Sequence, residues 1–419
     1  MENDAIETGL RRLSPVVIGF RRQGFELGSD LRNLIRVTRV CAAEASVFYQ
    51  ARILEALAAA GVELIGRRVS PSPFSNLSTL ETAGVLPRNT VRLAGALRRL
   101  GNVVRHIQRP VRERELQLGM AATESWLRWF FCGFFVGPQL GNLEFGEWRD
   151  VLPVDELTAQ AIKALEYDGA ESSKLRELAA APELLGEPTF PTLLAELFLS
   201  RGEYVLAEEV ISNALARNPL DLGLLQMKGL TLSRWGRLDE AFPVLKQLSE
   251  RYPDDEETIG IFAGLAKRHW QATEEMRWLK ESANAYRMGW EKSGATNAYL
   301  GINAASMALW SGDESTALQL AEAVKGALIR RPVPMDTQNL VGTTNDVWDI
   351  LTLAEAELML GNHEEAQRLY SAVRDRFPGA RGQLAVALGQ AEHHLRFNGI
   401  ESSFHSWVSD ALLCYRDPI

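Results

Sequence analysis

The sequence predicts an all-α fold: a helical bundle followed by a superhelix built from repeated helix pairs. Three observations carry that expectation. Helical periodicity runs through the first part of the 419 residues, with no alternating strand pattern. A Gly–Ala–Pro pattern returns at a fixed period in the second part. The composition, 46% hydrophobic and 24% charged, is that of a soluble globular protein long enough for two or three buried cores.

In chain order, "MENDAIETG" is acidic and has no apolar h-region, so it does not read as a signal peptide. Helices are expected at about 5–14, 29–65, 89–109 and 110–135, with "SPSPFSN", 70–76, a loop between the second and third. Asn89 or Thr90 is placed to cap the third helix. Pro110 closes that helix and opens the next. "WLRWFFCGFFVG", 126–137, is the strongest membrane candidate, but it is far too short to span a bilayer. It reads as a helix end buried in a core, and no membrane partner is expected. Residues 137–154 read as a linker, and a helix at 155–180 leads to the stop "APELLGEPTFP".

The repeats follow. Gly202 and Gly236 are 34 residues apart, as are Ala207 and Ala241, and Pro219 and Pro253. Gly312/Ala317 and Gly361/Ala366 repeat the Gly–Ala spacing, and Pro378 follows Ala366 as Pro219 follows Ala207. A glycine in the turn, an alanine that admits a close helix and a proline that ends the second helix resemble the tetratricopeptide signature. Units are expected at about 188–221, 222–257, 258–298, 299–332 and 346–382. The third is stretched and is expected to carry an insertion between its helices. Residues 330–346 read as a loop and 383–415 as a helical cap. The implied domains are 1–136 (bundle), 137–187 (linker and connecting helix), 188–382 (repeats) and 383–419 (cap).

Charge is divided unevenly. Residues 1–150 hold 20 Arg, no Lys and 15 acidic residues, a net +5; the rest holds 25 basic and 39 acidic residues, a net −14, giving −9 overall. An Arg-only basic segment suits phosphate or carboxylate partners; a GC-rich genome accounts for it equally well. Cys41, Cys132 and Cys414 are scattered, without a CxxC pair or a disulfide framework, which points to a reducing cytoplasm.

Two further resemblances lie in particular runs. "ASVFYQARILEALAAAGVE", "LSTLETAGVLP", "LRRLGNVVRH" and a final helix ending in "WLRWFF" make residues about 30–135 similar to HEPN-like domains. That resemblance implies a dimerising helical bundle. In catalytic members of the wider superfamily it implies a metal-independent ribonuclease with an Arg-x4–6-His motif. Arg99 and His106 are separated by six residues, within that range, while Leu100 replaces the polar residue that active members usually carry after the arginine. "AYRMGWEKSGATNAYLGINAASMALWSGD" and "VWDILTLAEAELMLGNHEEAQRLYSAV" make residues about 220–385 resemble the TRAF-binding region of apoptosis signal-regulating kinases and its bacterial relatives in signalling and conflict systems. No kinase motif accompanies them, so the resemblance implies a regulatory module.

On a helix, Leu93, Leu97, Leu100, Val104 and Ile107 form one apolar stripe, and Arg99, Asn102 and His106 cluster on another face. As a catalytic site, His106 would shuttle a proton, Arg99 would hold the scissile phosphate, Asn102 would orient one of them, and the RNA 2′-hydroxyl would attack. As a solvated helix face, the same residues are ordinary. Gly101 costs about 1 kcal/mol relative to alanine within a helix, and a closely packed neighbouring helix would explain it.

Other chemistry is absent from the sequence. There is no HExxH, no Cys/His zinc spacing, no P-loop, no GxGxxG and no GxSxG, so no metal and no cofactor is expected. "EHHL", 392–395, reads as a solvated helix stretch. The repeat register places Gln226, Ser233, Tyr299, Ser306, Trp348 and Glu355 on the first helices, where a groove would hold a protein partner. The acidic balance of this half points to a basic or mixed partner. The leading expectation is a bacterial signalling or defence component whose repeats bind a protein and whose bundle forms a homodimer. The alternatives are a partner-regulated ribonuclease, with RNA at the basic N-terminal domain, and a purely structural scaffold.

Overall fold

A computed structural model describes residues 13–22, 24–66, 69, 76–77, 80–81, 85–105, 109–134, 154–166, 170–253, 255–295, 297–329, 347–377, 381–398 and 403–413. The expected helix 5–14 lies largely outside these residues. So do the linker 137–153, most of the loop 70–76, the loop 330–346, Pro378 and His106. The fold is all-α. Among the described residues the strands are β1 (Arg21–Arg22) and β2 (Phe25–Glu26), a short antiparallel pair with Arg21 opposite Glu26. Two compact units divide the chain, Met1–Thr231 and Leu232–Ile419.

The first unit opens with α1 (Pro15–Ile18), α2 (Leu27–Arg39) and α3 (Ala43–Leu64). The single helix expected over 29–65 is therefore two. Cys41 adopts a left-handed backbone, φ 56°. Ala42 N–H bonds back to the Val37 carbonyl at 2.9 Å, and the Thr38 and Ser46 hydroxyls meet at 2.9 Å. The reversal lets Leu31 and Leu34 share one core with Leu54 and Leu57, which offsets the conformational cost of the corner.

Next come α4 (Arg88–Arg105) and α5 (Glu113–Arg128), which continues as a π-helical segment, Trp129–Phe134. The Pro87 carbonyl accepts the first helical bond, from Val91 N–H, so Asn89 and Thr90 lie inside the first turn of α4 instead of capping it. Leu93, Leu97 and Leu100 are buried, as their spacing requires. Gly101 is buried against α3, where an added Cβ would come 3.0 Å from that of Ala51. Trp126, Phe130 and Phe131 fill the core, and Trp129 donates its indole N–H to the Val85 carbonyl at 2.9 Å. Among the described residues no helix is long and apolar enough to cross a membrane.

The helix expected over 155–180 is also two, α6 (Glu156–Glu166) and α7 (Ser172–Ala180). They lead to α8 (Pro182–Leu185), α9 (Thr189–Ser200) and α10 (Tyr204–Leu215). Phe190, Leu193, Phe198 and Ile211 from α9 and α10 belong to the same apolar core as Leu31 and Trp126. The first helix pair is thus packed as part of the bundle, and the unit boundary falls inside α11 (Leu222–Arg234).

The second unit continues with α12 (Leu238–Arg251), then the pairs α13 (Glu256–Thr273)/α14 (Met276–Lys292), α15 (Ala298–Trp310)/α16 (Glu314–Ile329), α17 (Val347–Met359)/α18 (His363–Arg376) and α19 (Arg381–Asn398)/α20 (Ser403–Leu413). Gly202, Gly236, Gly312 and Gly361 have φ of 74°, 82°, 85° and 80°, a left-handed turn geometry that excludes most side chains. Ala207, Ala241, Ala317 and Ala366 are fully buried, where a larger group would push the paired helices apart. Asp255 and Asn297 cap α13 and α15, accepting from Thr258 N–H at 2.8 Å and Leu300 N–H at 3.3 Å. The third pair contains no insertion between its helices. Only Glu274 and Glu275 join α13 to α14, and the extra residues lengthen both helices.

Candidate functional site

Two places received the functional expectations, and the structure treats them differently. The first is α4. Arg99 sends Nη2 to Glu196 on α9, 2.7 Å away. Its Nη1 is buried without a hydrogen-bond partner among the described residues. Asn102 is partly exposed, and its side chain makes no hydrogen bond among the described residues. The motif's arginine is thus engaged by Glu196, and His106 lies outside the described residues.

Several other arginines of this basic segment are bound within the unit. Arg22 pairs with Glu63, Arg52 with Asp30, Arg105 with Glu55 and Arg114 with Asp155. Arg109 is enclosed, at 17% side-chain exposure. It grips Glu115 with both terminal nitrogens at 2.7 Å and reaches Asp221 through Nε at 2.7 Å. Glu115 is fully buried and also accepts from Thr189 N–H and Oγ1 and from Arg112 N–H. Burial pushes the Glu115 carboxyl up, and the Arg109 contacts outweigh it, holding the group below the usual range. Composition counted these arginines as one basic segment; their carboxylates, distant in sequence, are visible only in the fold.

The second place is where side chains of the first helices α13, α15, α17 and α19 meet. Glu355 on α17 is buried. Its Oε1 receives Ser306 Oγ from α15 at 2.6 Å, His394 Nε2 from α19 at 2.9 Å, and the Gln390 amide from α19. Lys267 on α13 donates to Gln390 Oε1 at 2.6 Å and Asn303 Oδ1 at 3.2 Å, with its ammonium 5.1 Å from the Trp310 ring centre. Trp310 stacks on Trp270. Burial pulls the Lys267 ammonium down to about 8; Glu355 opposes that and the neighbouring Arg268 adds to it.

Of the six expected groove residues, Ser306 and Glu355 are brought together but turned inward, bonded and buried. Ser233 is buried and accepts from Arg268 Nη1 at 3.1 Å, and Gln226 is buried on α11. Tyr299 and Trp348 are exposed, at 51% and 40%. The expectation of a solvated "EHHL" fails at His394, which is buried at 1% exposure within this network. Lys267, Arg268, Asn303 and Gln390 were missed. A signal for Asn303 was present: it lies on the Tyr299–Ser306 stripe, in a helix whose other positions are almost all apolar. A polar group in such a helix must be hydrogen-bonded. The local charge also departs from the acidic average, since Lys267 and Arg268 sit side by side on α13.

Residues 203–308 match the model of the Tetratricopeptide Repeats-Sensor family, and residues 350–380 match a tetratricopeptide repeat model. The repeats are tetratricopeptide repeats. Such repeats make this part of the chain a protein-interaction module. Among solved structures, a thermophilic tetratricopeptide repeat protein of Thermus thermophilus aligns at 18% identity and a TM-score of 0.37, covering 47% of this chain and 97% of that one. A tetratricopeptide repeat protein from Parabacteroides merdae ATCC 43184 aligns at 12% identity and 0.38, covering 62% and 98%. BtubC (BKLC) from P. vanneervenii aligns at 17% identity and 0.36, covering 55% and 94%. No curated protein matches the chain.

Proposed function

We propose that the chain is a bacterial signalling or defence component in which the tetratricopeptide repeats sense a protein partner and the N-terminal bundle forms a homodimer. The observation that supports it is the exposure of Tyr299 and Trp348 on the first helices of their pairs, beside an inner face whose other polar groups are bonded to one another. Aromatic side chains left at a groove are the residue types that dominate binding energy. The matched family's description as a sensor agrees with this reading.

The test uses the intact chain as bait, beside a Tyr299→Ala/Trp348→Ala variant. A partner retained by the wild type and lost by the variant is the expected result. Equal capture by both removes the groove from the reading. Light scattering of the purified chain tests the dimer, and a monomeric mass at micromolar concentration overturns that part.

A second reading, a partner-regulated ribonuclease, is favoured by the unmet donor on Arg99. In it, the Glu196 carboxylate restrains Arg99 until a partner engages the repeats. Incubation of the wild type, His106→Ala and Glu196→Gln with total RNA and EDTA tests it. Cleavage by Glu196→Gln and not by His106→Ala is expected; cleavage by neither the wild type nor Glu196→Gln argues against it.

A further inference from the structure

Repeats of this kind ordinarily touch only their neighbours in the stack. α19 departs from that pattern. Its own neighbour is α17, the first helix of the preceding pair, and it also packs directly on α15, one pair further back. Gln390 reaches one pair further still, to α13, where Lys267 Nζ donates to its Oε1 at 2.6 Å. The same amide donates through Nε2 to Ser306 Oγ on α15 at 3.2 Å and to Glu355 on α17. One side chain thus bonds to three successive first helices, and His394, one turn later, bonds to Glu355 as well. A helix lying across three successive first helices occupies the groove where a bound helix would lie.

α19 has a second face of different chemistry. At about 100° per residue, Gln390 and His394 share one side of the helix, and Leu384, Leu388 and Leu395 lie roughly 120–160° round from Gln390. These leucines are buried. An apolar face cannot leave its partners without exposing hydrocarbon to water. The seam of Gln390 and His394 against Lys267, Ser306 and Glu355 is made of side-chain hydrogen bonds, and water or other donors can serve those groups when it parts. The seam stops short of Tyr299 and Trp348. These lie about two turns before Ser306 and Glu355 on the same faces of α15 and α17, and they remain exposed.

We propose that α19 is the groove's own occupant and that its Gln390/His394 face is a releasable clasp, displaced by a partner helix that carries two side-chain donors one turn apart. The leucine face keeps α19 in the stack while the seam parts. This role rests on the reading of the repeats as a partner-binding groove and adds what the partner must compete with. Glu355 fixes the chemistry of the competitor. It is a buried carboxylate and needs donors when Gln390 and His394 leave. Amide, imidazole or ammonium groups at positions i and i+4 of a helix meet that need. A partner seated on Tyr299 and Trp348 reaches the clasp within about two turns.

Fluorescence anisotropy of a labelled synthetic peptide of residues 381–398, titrated with the full chain, tests it. In the wild type the resident α19 competes at the high effective concentration of a tethered segment. The peptide is therefore expected to bind the Gln390→Met chain about tenfold or more tightly than the wild type. Gln390→Met nearly keeps the side chain's volume and removes its amide. Gln390→Ala is the second variant, and circular dichroism checks that each is folded. The same peptide carrying Gln390→Ala and His394→Ala should bind no chain saturably. Equal binding of the native peptide by the wild type and a folded variant, no binding by the folded variants, or equal binding of the alanine peptide overturns the clasp. Unfolding of both variants overturns it too, because a seam that parts only on unfolding cannot be released by a partner. A partner captured through Tyr299 and Trp348 when the peptide test fails would leave the protein-binding groove standing without the clasp.

Discussion

Trp310 donates its indole N–H to Nδ1 of His394 across 3.1 Å. An acceptor nitrogen must hold a lone pair, so this bond places the imidazole proton on Nε2, which faces Glu355 Oε1 at 2.9 Å. One indole thereby orients a histidine, the histidine supports a buried carboxylate, and α15, α17 and α19 are tied at one point.

Glu355→Gln should be costly. Burial would raise this carboxyl, but the His394 and Ser306 bonds and the Lys267 charge hold it below its ordinary 4.5. A folded value below the unfolded one contributes stability above about pH 4.5 that is lost as pH falls through the folded value. The substitution is expected to cost about 3 kcal/mol at pH 7, because it leaves Lys267 without its compensating charge. It should also flatten the acid limb of stability against pH. Urea unfolding between pH 3 and pH 7, in about unit steps, checks both; an unchanged acid limb would remove Glu355 from the linkage.

Glu187 should show the opposite sign. Burial and the nearby Glu115 carboxylate push it up to about 7, against the pull of Arg112, Arg114 and Arg109. Its folded value exceeds its unfolded one, so stability is greatest below pH 4.5 and declines as pH rises through 7. Glu187→Gln should therefore stabilise by about 1–2 kcal/mol at pH 8, discounted for partial solvent exposure, and change little at pH 4. Thermal melts at the two pH values decide it, and equal shifts at both would contradict the linkage.

Arg109→Met should destabilise the first unit by about 3–5 kcal/mol, since Glu115 would remain buried without its counter-charge. The double variant Arg109→Met/Glu115→Met should recover a large part of that loss. A double-mutant cycle by denaturant unfolding measures the coupling. Additive effects would mean that the pair does not act as one group.

Gly301→Ala tests close packing. An added Cβ would lie 2.5 Å from Val324 Cγ2 and 2.7 Å from Trp290 Cε3, so α15 must move away from its neighbours. The expected cost is about 2 kcal/mol. Gly389→Ala, with nothing within 4 Å of the new carbon, should instead gain about 1 kcal/mol of helix propensity. Circular dichroism melts of the two variants should shift in opposite directions.

Much of the fold was legible because it depends on local geometry. Gly202, Gly236, Gly312 and Gly361 could be placed in turns from spacing alone, and each has the left-handed backbone that a turn between paired helices needs. Leu93, Leu97 and Leu100 marked the buried face of α4 in the same way. Where periodicity ran on unbroken, it misled. Residues 29–65 look like one helix, and only the packing of α2 against α3 favours the reversal at Cys41.

The candidate site was legible only in part. Tyr299, Ser306 and Glu355 follow from repeat register, but register does not say which of them meets a partner across the interior. His394 resembled a solvated histidine because Trp310 and Glu355 lie 84 and 39 residues away in sequence. Arg99 was grouped with Asn102 and His106 by helical spacing, while Glu196, 97 residues later, determines where its guanidinium points.

The sequence by itself determined the all-α class, the turn glycines, the close-packing alanines and the pairing of helices, because each depends on residues within about one repeat of one another. Only the tertiary structure decided which polar side chains became a buried network. A buried charge is tolerated or not according to the groups that surround it in space. Those groups come from four separate first helices, and no local spacing encodes their meeting.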